Sequence, residues 1–139
     1  MKVERSSGFI LFRREDNKPK FLLLEYSHYY DFPRGNIEKN EDELLAAKRE
    51  LMEETGIKEI KIYPFFKEVI SWFYRKENKI VKKIAIYFLA ETEEKEVKLS
   101  FEHKGYRWSF YEEAINLLTF ENSKKALTKA FNFINSMNL

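Results

Sequence analysis

Residues 35–57 read GNIEKNEDELLAAKRELMEETGI, and the spacing inside this stretch decides how the chain is read. Five free positions separate Gly35 from Glu41 and seven separate Glu41 from Arg49-Glu50-Leu51; single free positions then precede Glu53-Glu54 and Gly56-Ile57. At about 100° per residue a helix brings Glu50, Glu53 and Glu54 within roughly a third of a turn of one another. Like charges at these spacings repel by roughly a few tenths of a kcal/mol each, so the cluster makes best sense with a divalent cation between the carboxylates. Oxygen donors with neither cysteine nor a histidine pair favour Mg²⁺, with Mn²⁺ the other candidate, over Zn²⁺. The competing reading is a solvated salt-bridge face, with Arg49 on Glu53 and Lys48 on Glu41. It leaves three clustered glutamates and a glycine at each end unexplained.

The helix carries its own signals. Asn40 is a candidate N-cap, with Glu43 at the third helical position and Glu41 and Asp42 facing the positive end of the dipole. Leu44, Ala47, Leu51 and Thr55 form a stripe for a core, beside rather than beneath the glutamates. Gly56 supplies a left-handed stop.

The chain has 139 residues, which suits one domain over 1–139. It has no cysteine, hence no disulfide or thiolate metal site, and its net charge of +2 gives no reason to expect a stable nucleic-acid partner. No apolar run reaches the ~18 residues of a membrane span, and MKVERSSGF lacks a signal-peptide pattern, so a cytoplasmic location without membrane contact is the default expectation. Monomer and homodimer are equally open.

Patterning places strands around the helix. Ser6–Arg13 and Lys20–Tyr26 read as a hairpin, with the FLLLE run of the second covered on both faces. After the helix, strands are expected at Glu59–Tyr63, Phe65–Lys76, Lys79–Glu91 and Gly105–Phe110, with Glu77-Asn78 as a turn. Tyr111–Leu118 and Asn122–Met137 read as helices, the latter with Ala126, Leu127, Ala130, Phe131 and Ile134 inward. The sum is an α/β chain with a mixed sheet and helices on both sides.

The spacing from Gly35 to Ile57 is similar to the complete Nudix box, G-x5-E-x7-R-E-U-x-E-E-x-G-U with U aliphatic. Outside it, FLLLEYSHYYDFPRG, KKIAIYFLAE, SFEHKGYRW and LLTFENSKKAL resemble the diadenosine tetraphosphate hydrolases of the animal and archaeal type, over roughly Gly8 to Phe133. The resemblance implies the Nudix fold, an α/β/α sandwich with a mixed central sheet. It also implies asymmetric cleavage of diadenosine tetraphosphate to ATP and AMP.

Roles follow by resemblance, one residue at a time. Glu50, Glu53 and Glu54 match metal-binding glutamates, Gly35 a glycine whose carbonyl helps hold a metal, and Arg49 an arginine that orients a box glutamate. Arg34 stands where the family has a basic residue for phosphate, and a guanidinium can grip two oxygens. Lys83 matches a lysine aimed at the polyphosphate, with Lys82 on the other side of the strand. Tyr87 matches a tyrosine that stacks on adenine and Phe120 an aromatic across the same base; core packing is the rival reading for either ring. Tyr29 occupies the place of a phosphate-binding histidine, with His28 beside it. Glu102 matches a glutamate that approaches the metals, while the adjacent His103 reads as merely exposed. The general base is one of Glu50, Glu54 and Glu102. Two other functions compete with this one: another Nudix pyrophosphohydrolase, acting on RNA 5′ ends or nucleoside diphosphates linked to another group, and a non-catalytic nucleotide sensor. The intact acidic cluster argues against the sensor, since a pure binder does not need it.

Overall fold

Phe9-Ile10-Leu11-Phe12 and Phe21-Leu22-Leu23-Leu24 are unbroken apolar runs, and strands carrying such runs have to be covered on both faces. In the computed structural model, which describes residues 1–137, all eight side chains are fully buried. The C-terminal two positions of the expected 1–139 domain lie outside the described residues. The elements in chain order are β1 (Lys2–Glu15), β2 (Lys18–Glu25), β3 (Tyr30–Asp31), β4 (Arg34–Asn36), α1 (Glu43–Thr55), β5 (Ile60–Lys76), β6 (Lys79–Thr92), β7 (Gly105–Phe110), α2 (Tyr111–Leu117) and α3 (Glu121–Ser136).

The sheet runs β3-β2-β1-β6-β5, with β4 also on β1 and β7 also on β2. β1 and β6 are parallel, while β1 with β2, β1 with β4 and β5 with β6 are antiparallel, so the sheet is mixed. Alternation then sorts the side chains into two cores. Phe9, Leu11, Leu22 and Leu24 meet Ala47 and Leu51 of α1 on one face. Ile10, Phe12, Phe21, Leu23, Ala85, Tyr87 and Leu89 meet Ala114 of α2 and Ala126, Leu127, Ala130 and Ile134 of α3 on the other. Each fully buried Leu or Phe contributes roughly 1.5–3 kcal/mol by leaving water, which fixes α1 against the sheet and its glutamates beside it. The result is the α/β/α arrangement. No helix among the described residues is long and apolar enough to cross a membrane.

Several boundaries differ from the sequence reading. α1 is capped by Asp42, whose Oδ1 accepts from Leu45 N–H at 2.7 Å, whereas Asn40 sits at φ 67° in the turn before it. The helix ends as expected at Gly56, φ 76°, whose N–H donates to Met52 O at 2.9 Å. β1 starts at Lys2 because its first residues pair with β6 beyond the hydrophobic run. β5 is one strand with an irregularity between Tyr63 and Lys67, where Pro64 cannot donate to the ladder. β3 and β4 are too short for alternation to reveal. Both tight turns, Asp16-Asn17 and Glu77-Asn78, have φ between 50° and 64°, as two-residue hairpins require.

Candidate active site

Packing Ala47 and Leu51 inward leaves Glu50, Glu53 and Glu54 along the edge of α1 that faces β4. Glu50 lies so close to Gly35 of β4 that a Cβ there would come within 1.9 Å of its Cδ. A glycine at this position is therefore a condition for the carboxylate's placement. Arg49 ties the group together: Nε donates to Glu41 at 2.6 Å, Nη1 to Glu50 at 2.9 Å and Glu53 at 3.2 Å, and Nη2 to the Asn36 carbonyl at 3.0 Å. Glu41 is thus bound by Arg49 and not by Lys48.

The β6–β7 loop returns across the end of α1. Lys98 N–H donates to Thr55 O at 2.9 Å and Ser100 N–H to Glu54 O at 3.2 Å, which lays Glu102 and His103 over the glutamates. His103 Nε2 is 2.9 Å from Glu54 Oε2, and both side chains are almost wholly buried. Burial keeps the imidazole's pKa below its ordinary value. Burial first, then the neighbouring Glu50, pushes the Glu54 carboxyl up to about 9. Glu50 is raised as well, mainly by burial, with Arg49 opposing.

These carboxylates line a cleft of about 370 Å³ that also takes in Gly35, Glu102, Lys83 and Arg34. Arg34 in turn lines a second cavity, about 300 Å³, walled by Tyr29, Ile70, Trp72 and Phe120. Its position between the two is built from buried partners. Nη1 donates to Asp31 Oδ2 at 2.8 Å and to the Tyr87 hydroxyl at 3.2 Å, and the guanidinium lies 5.6 Å from both the Tyr26 and the Trp72 ring centroids. Asp31 is held by Phe32 N–H and by the Ser123 hydroxyl, each at 2.9 Å. A file of rings also connects the sites, His103 edge-on to Tyr26 at 4.6 Å, Tyr26 stacked on Tyr29 at 5.0 Å, and Tyr29 edge-on to Phe120 at 5.0 Å.

A family model described as the NUDIX domain matches residues 3–131. The chain belongs to the NUDIX family. Among curated proteins it is similar to the bis(5′-nucleosyl)-tetraphosphatase [asymmetrical] of Rattus norvegicus, 37% identical over 143 residues, covering 94% of this chain and 95% of the rat protein. A solved structure of a C. elegans Ap4A hydrolase binary complex matches with a TM-score of 0.86 at 30% identity, covering 96% of this chain and 99% of that one. Similarity to the RNA pyrophosphohydrolase of Bartonella quintana is confined to 50 residues at 50% identity, 36% of this chain and 27% of that protein.

Within this Nudix chain, Gly35, Glu50, Glu53, Glu54, Glu102, Arg34 and Lys83 all border the cleft, and Tyr29 and Phe120 border the aromatic cavity. Lys83 Nζ donates to Asn36 Oδ1 at 2.7 Å. Two expected base or phosphate contacts are displaced. Tyr87 is wholly buried, edge-on to Phe32 at 5.2 Å, so its ring cannot stack on a base; its hydroxyl anchors Arg34 instead. His28 is exposed in the bend after β2 and borders neither cavity. His103 is buried rather than exposed. Trp72, Asp31 and Ser123 were not legible as site residues. Trp72 alone had a signal, alternation with Ile70 on the face of β5 that pairs with Lys83 and Ala85.

The donor set fits a hard divalent cation. Glu54 Oε1 is buried without a hydrogen-bond partner, and burial first, then the charge of Glu50, disfavours the bare carboxylate, a cost that a cation would relieve. Among the described residues no three acidic or histidine side chains have already converged on one point. The reason is visible in Arg49, which currently satisfies Glu50 and Glu53.

Proposed function

We propose that this chain is a Mg²⁺-dependent Nudix hydrolase, with Mn²⁺ as an alternative ion, that cuts diadenosine tetraphosphate asymmetrically to ATP and AMP as a single domain. The observation that carries this reading is the junction at Arg34 of an acidic cleft with an aromatic cavity. Near full-length similarity to proteins named for that reaction supports it. One nucleoside occupies the cavity, its base against Phe120, Trp72 and Tyr29, and its phosphate meets the free edge of Arg34. The phosphate chain continues into the cleft toward Lys83.

Glu50, Glu53 and Glu54, with the Gly35 carbonyl, would hold the cation, which when bound neutralises phosphate charge and lowers the pKa of water. Arg49 keeps the box glutamates in place, and His103 keeps Glu54 from turning away. Arg34 and Lys83 stabilise negative charge developing on the phosphate oxygens. Glu50 and Glu54 are engaged by Arg49 and His103, so we assign acceptance of the attacking water's proton to Glu102, which overhangs the cleft from the loop.

The test is an HPLC time course in ¹⁸O-water with Mg²⁺ and diadenosine tetraphosphate, beside ADP-ribose and 5′-triphosphorylated RNA. ATP and AMP as leading products are expected, with label on one of them marking the attacked phosphorus. An intact dinucleotide beside a cleaved alternative substrate would sink the assignment.

A further inference from the structure

With one nucleoside assigned to the aromatic cavity, the other end of the substrate needs a surface of its own. Trp72 pairs with Lys83 across β5 and β6, Tyr74 with Val81, and Lys76 with Lys79; on the parallel side Glu4 pairs with Lys83 and Lys2 with Val81. Paired residues share a face of the sheet, so Trp72, Lys83, Glu4, Lys76, Lys2 and Lys79 form one stripe from the cavity wall, past the mouth of the cleft, to the hairpin tip. At about 3.3 Å per residue, the step from Lys83 to Lys79 is roughly 13 Å.

Charge on this stripe is unbalanced. Glu4 is the shared partner of Lys2 at 3.8 Å, Lys76 at 3.9 Å and Lys83 at 3.8 Å, and its carboxylate also accepts from the Tyr74 hydroxyl. At the hairpin tip Lys2, Arg75, Lys76 and Lys79 border one concavity, with Glu77 as the acid among its lining residues. Burial holds Lys83 below its ordinary pKa, with Glu4 opposing and Arg34 and Lys76 assisting.

We propose that this face of the β5–β6 hairpin is a binding track for the outgoing phosphate end of a dinucleoside polyphosphate, the half that is not in the aromatic cavity. The assignment rests on the proposed function for the identity of the substrate. Its own basis is the continuity of the stripe with the cleft and its complementary charge. Lys76 and Lys79 meet the outer phosphates, and Glu4 spaces the lysines so that they do not collapse onto one anion.

The experiment compares wild type with the double variant Lys76→Ala/Lys79→Ala on diadenosine di-, tetra- and hexaphosphate under Mg²⁺, with direct binding measured in parallel without metal. Both residues lie at an exposed tip, and a melting curve checks the fold. The variant should raise KM for the tetra- and hexaphosphate roughly three- to tenfold, as two exposed ion pairs would, with kcat unchanged and the diphosphate unaffected. Lys76→Arg/Lys79→Arg should restore the wild-type value. An equal shift at every chain length, or none, overturns the track while leaving the hydrolase reading intact. If wild type cuts none of the dinucleotides but binds them with a length dependence that the variant loses, the track stands and the hydrolase reading falls. A 5′-triphosphorylated oligonucleotide affected more strongly than the dinucleotides assigns the stripe to nucleic acid and also overturns the proposal.

Discussion

The acidic cleft and the aromatic cavity share Arg34 but are assembled in opposite ways. Most of the cleft's carboxylates come from one turn and a half of α1, set against the neighbouring β4. The cavity takes Tyr29 from the segment after β2, Trp72 from β5 and Phe120 from the junction of α2 and α3. Reaction class is therefore written locally in the chain, whereas the choice of what is bound depends on tertiary packing. The cleft also gathers half-buried and buried carboxylates, while the cavity is apolar and rests on a neutralised ion pair. Perturbing the two should give different signatures, in rate for the first and in stability and KM for the second.

The largest effect is expected at Glu54. Glu54→Gln keeps the volume and the contact with His103 but removes the charge, and kcat should fall by roughly two to four orders of magnitude with the melting temperature preserved or raised. Steady-state kinetics with Mg²⁺ beside a thermal melt decides it. A variant retaining near full activity would remove Glu54 from the machinery.

Asp31 should act mainly on stability. It is 2% exposed and is the counterion of a guanidinium that is itself nearly buried. Asp31→Ala leaves that charge unpaired and orphans the Ser123 hydroxyl and Phe32 N–H, a loss of about 3–5 kcal/mol by urea denaturation. Ser123→Ala, which removes one neutral hydrogen bond to the same carboxylate, should cost only about 1 kcal/mol. Similar costs for the two variants would mean the Asp31–Arg34 pair is not what holds the boundary between the sites.

Burial of Glu54, reinforced by Glu50, makes a prediction about pH. In the metal-free protein Glu54 is held near 9 against an ordinary 4.5, so between these values the folded state keeps a proton that the unfolded chain has released. Stability contributed by this proton is fully present below about 4.5 and is lost as pH rises through about 9, so the melting temperature in EDTA should decline across that window. Glu54→Gln should flatten this part of the profile, and Mg²⁺ should reverse it for wild type by binding the ionised folded form. A wild-type profile in EDTA that is flat or rising through this window would contradict the burial assigned to Glu54.

The same contrast explains what the sequence could disclose. Spacing within α1 revealed Glu50, Glu53 and Glu54, Gly56 revealed the helix end, and unbroken apolar runs revealed β1 and β2, because each signal spans a few residues. Tyr87 was misjudged and Trp72 passed over for a different reason. Alternation puts Tyr87 with Ala85 and Leu89, but only the seating of α2 and α3 turns that face into the interior at Tyr87 and leaves Trp72 at its margin. Asp31 and Ser123 meet across 92 positions. His103 is buried because backbone hydrogen bonds pin its loop to the end of α1, and no side-chain pattern announces that. The cap was misplaced at Asn40 because Asp42, an equally good capping residue, lies only two positions further on.

The smallest effect should separate a ring proposed to bind from one that is simply exposed. Phe120 is 45% exposed and Phe101 is 98% exposed, so solvent accessibility alone would rank Phe101 as the freer contact. Phe120, however, borders the cavity and meets Tyr29 edge-on at 5.0 Å, which prepares one wall for a planar base, whereas Phe101 borders neither the cavity nor the cleft. A base stacked on an aromatic side chain is worth about 1–3 kcal/mol, so Phe120→Ala should raise KM for the dinucleotide by roughly five- to a hundredfold. Its kcat should change little, because the cleft is untouched. Phe101→Ala removes a side chain in water beside Glu102 and should leave stability within about 0.5 kcal/mol and KM where it was. If Phe101→Ala raised KM as much as Phe120→Ala, the loop would be folding over the substrate and the cavity would be only half of the base site. A fall in kcat with KM constant for Phe120→Ala would couple the cavity to the chemistry through the Tyr29–Tyr26–His103 file that ends at Glu54.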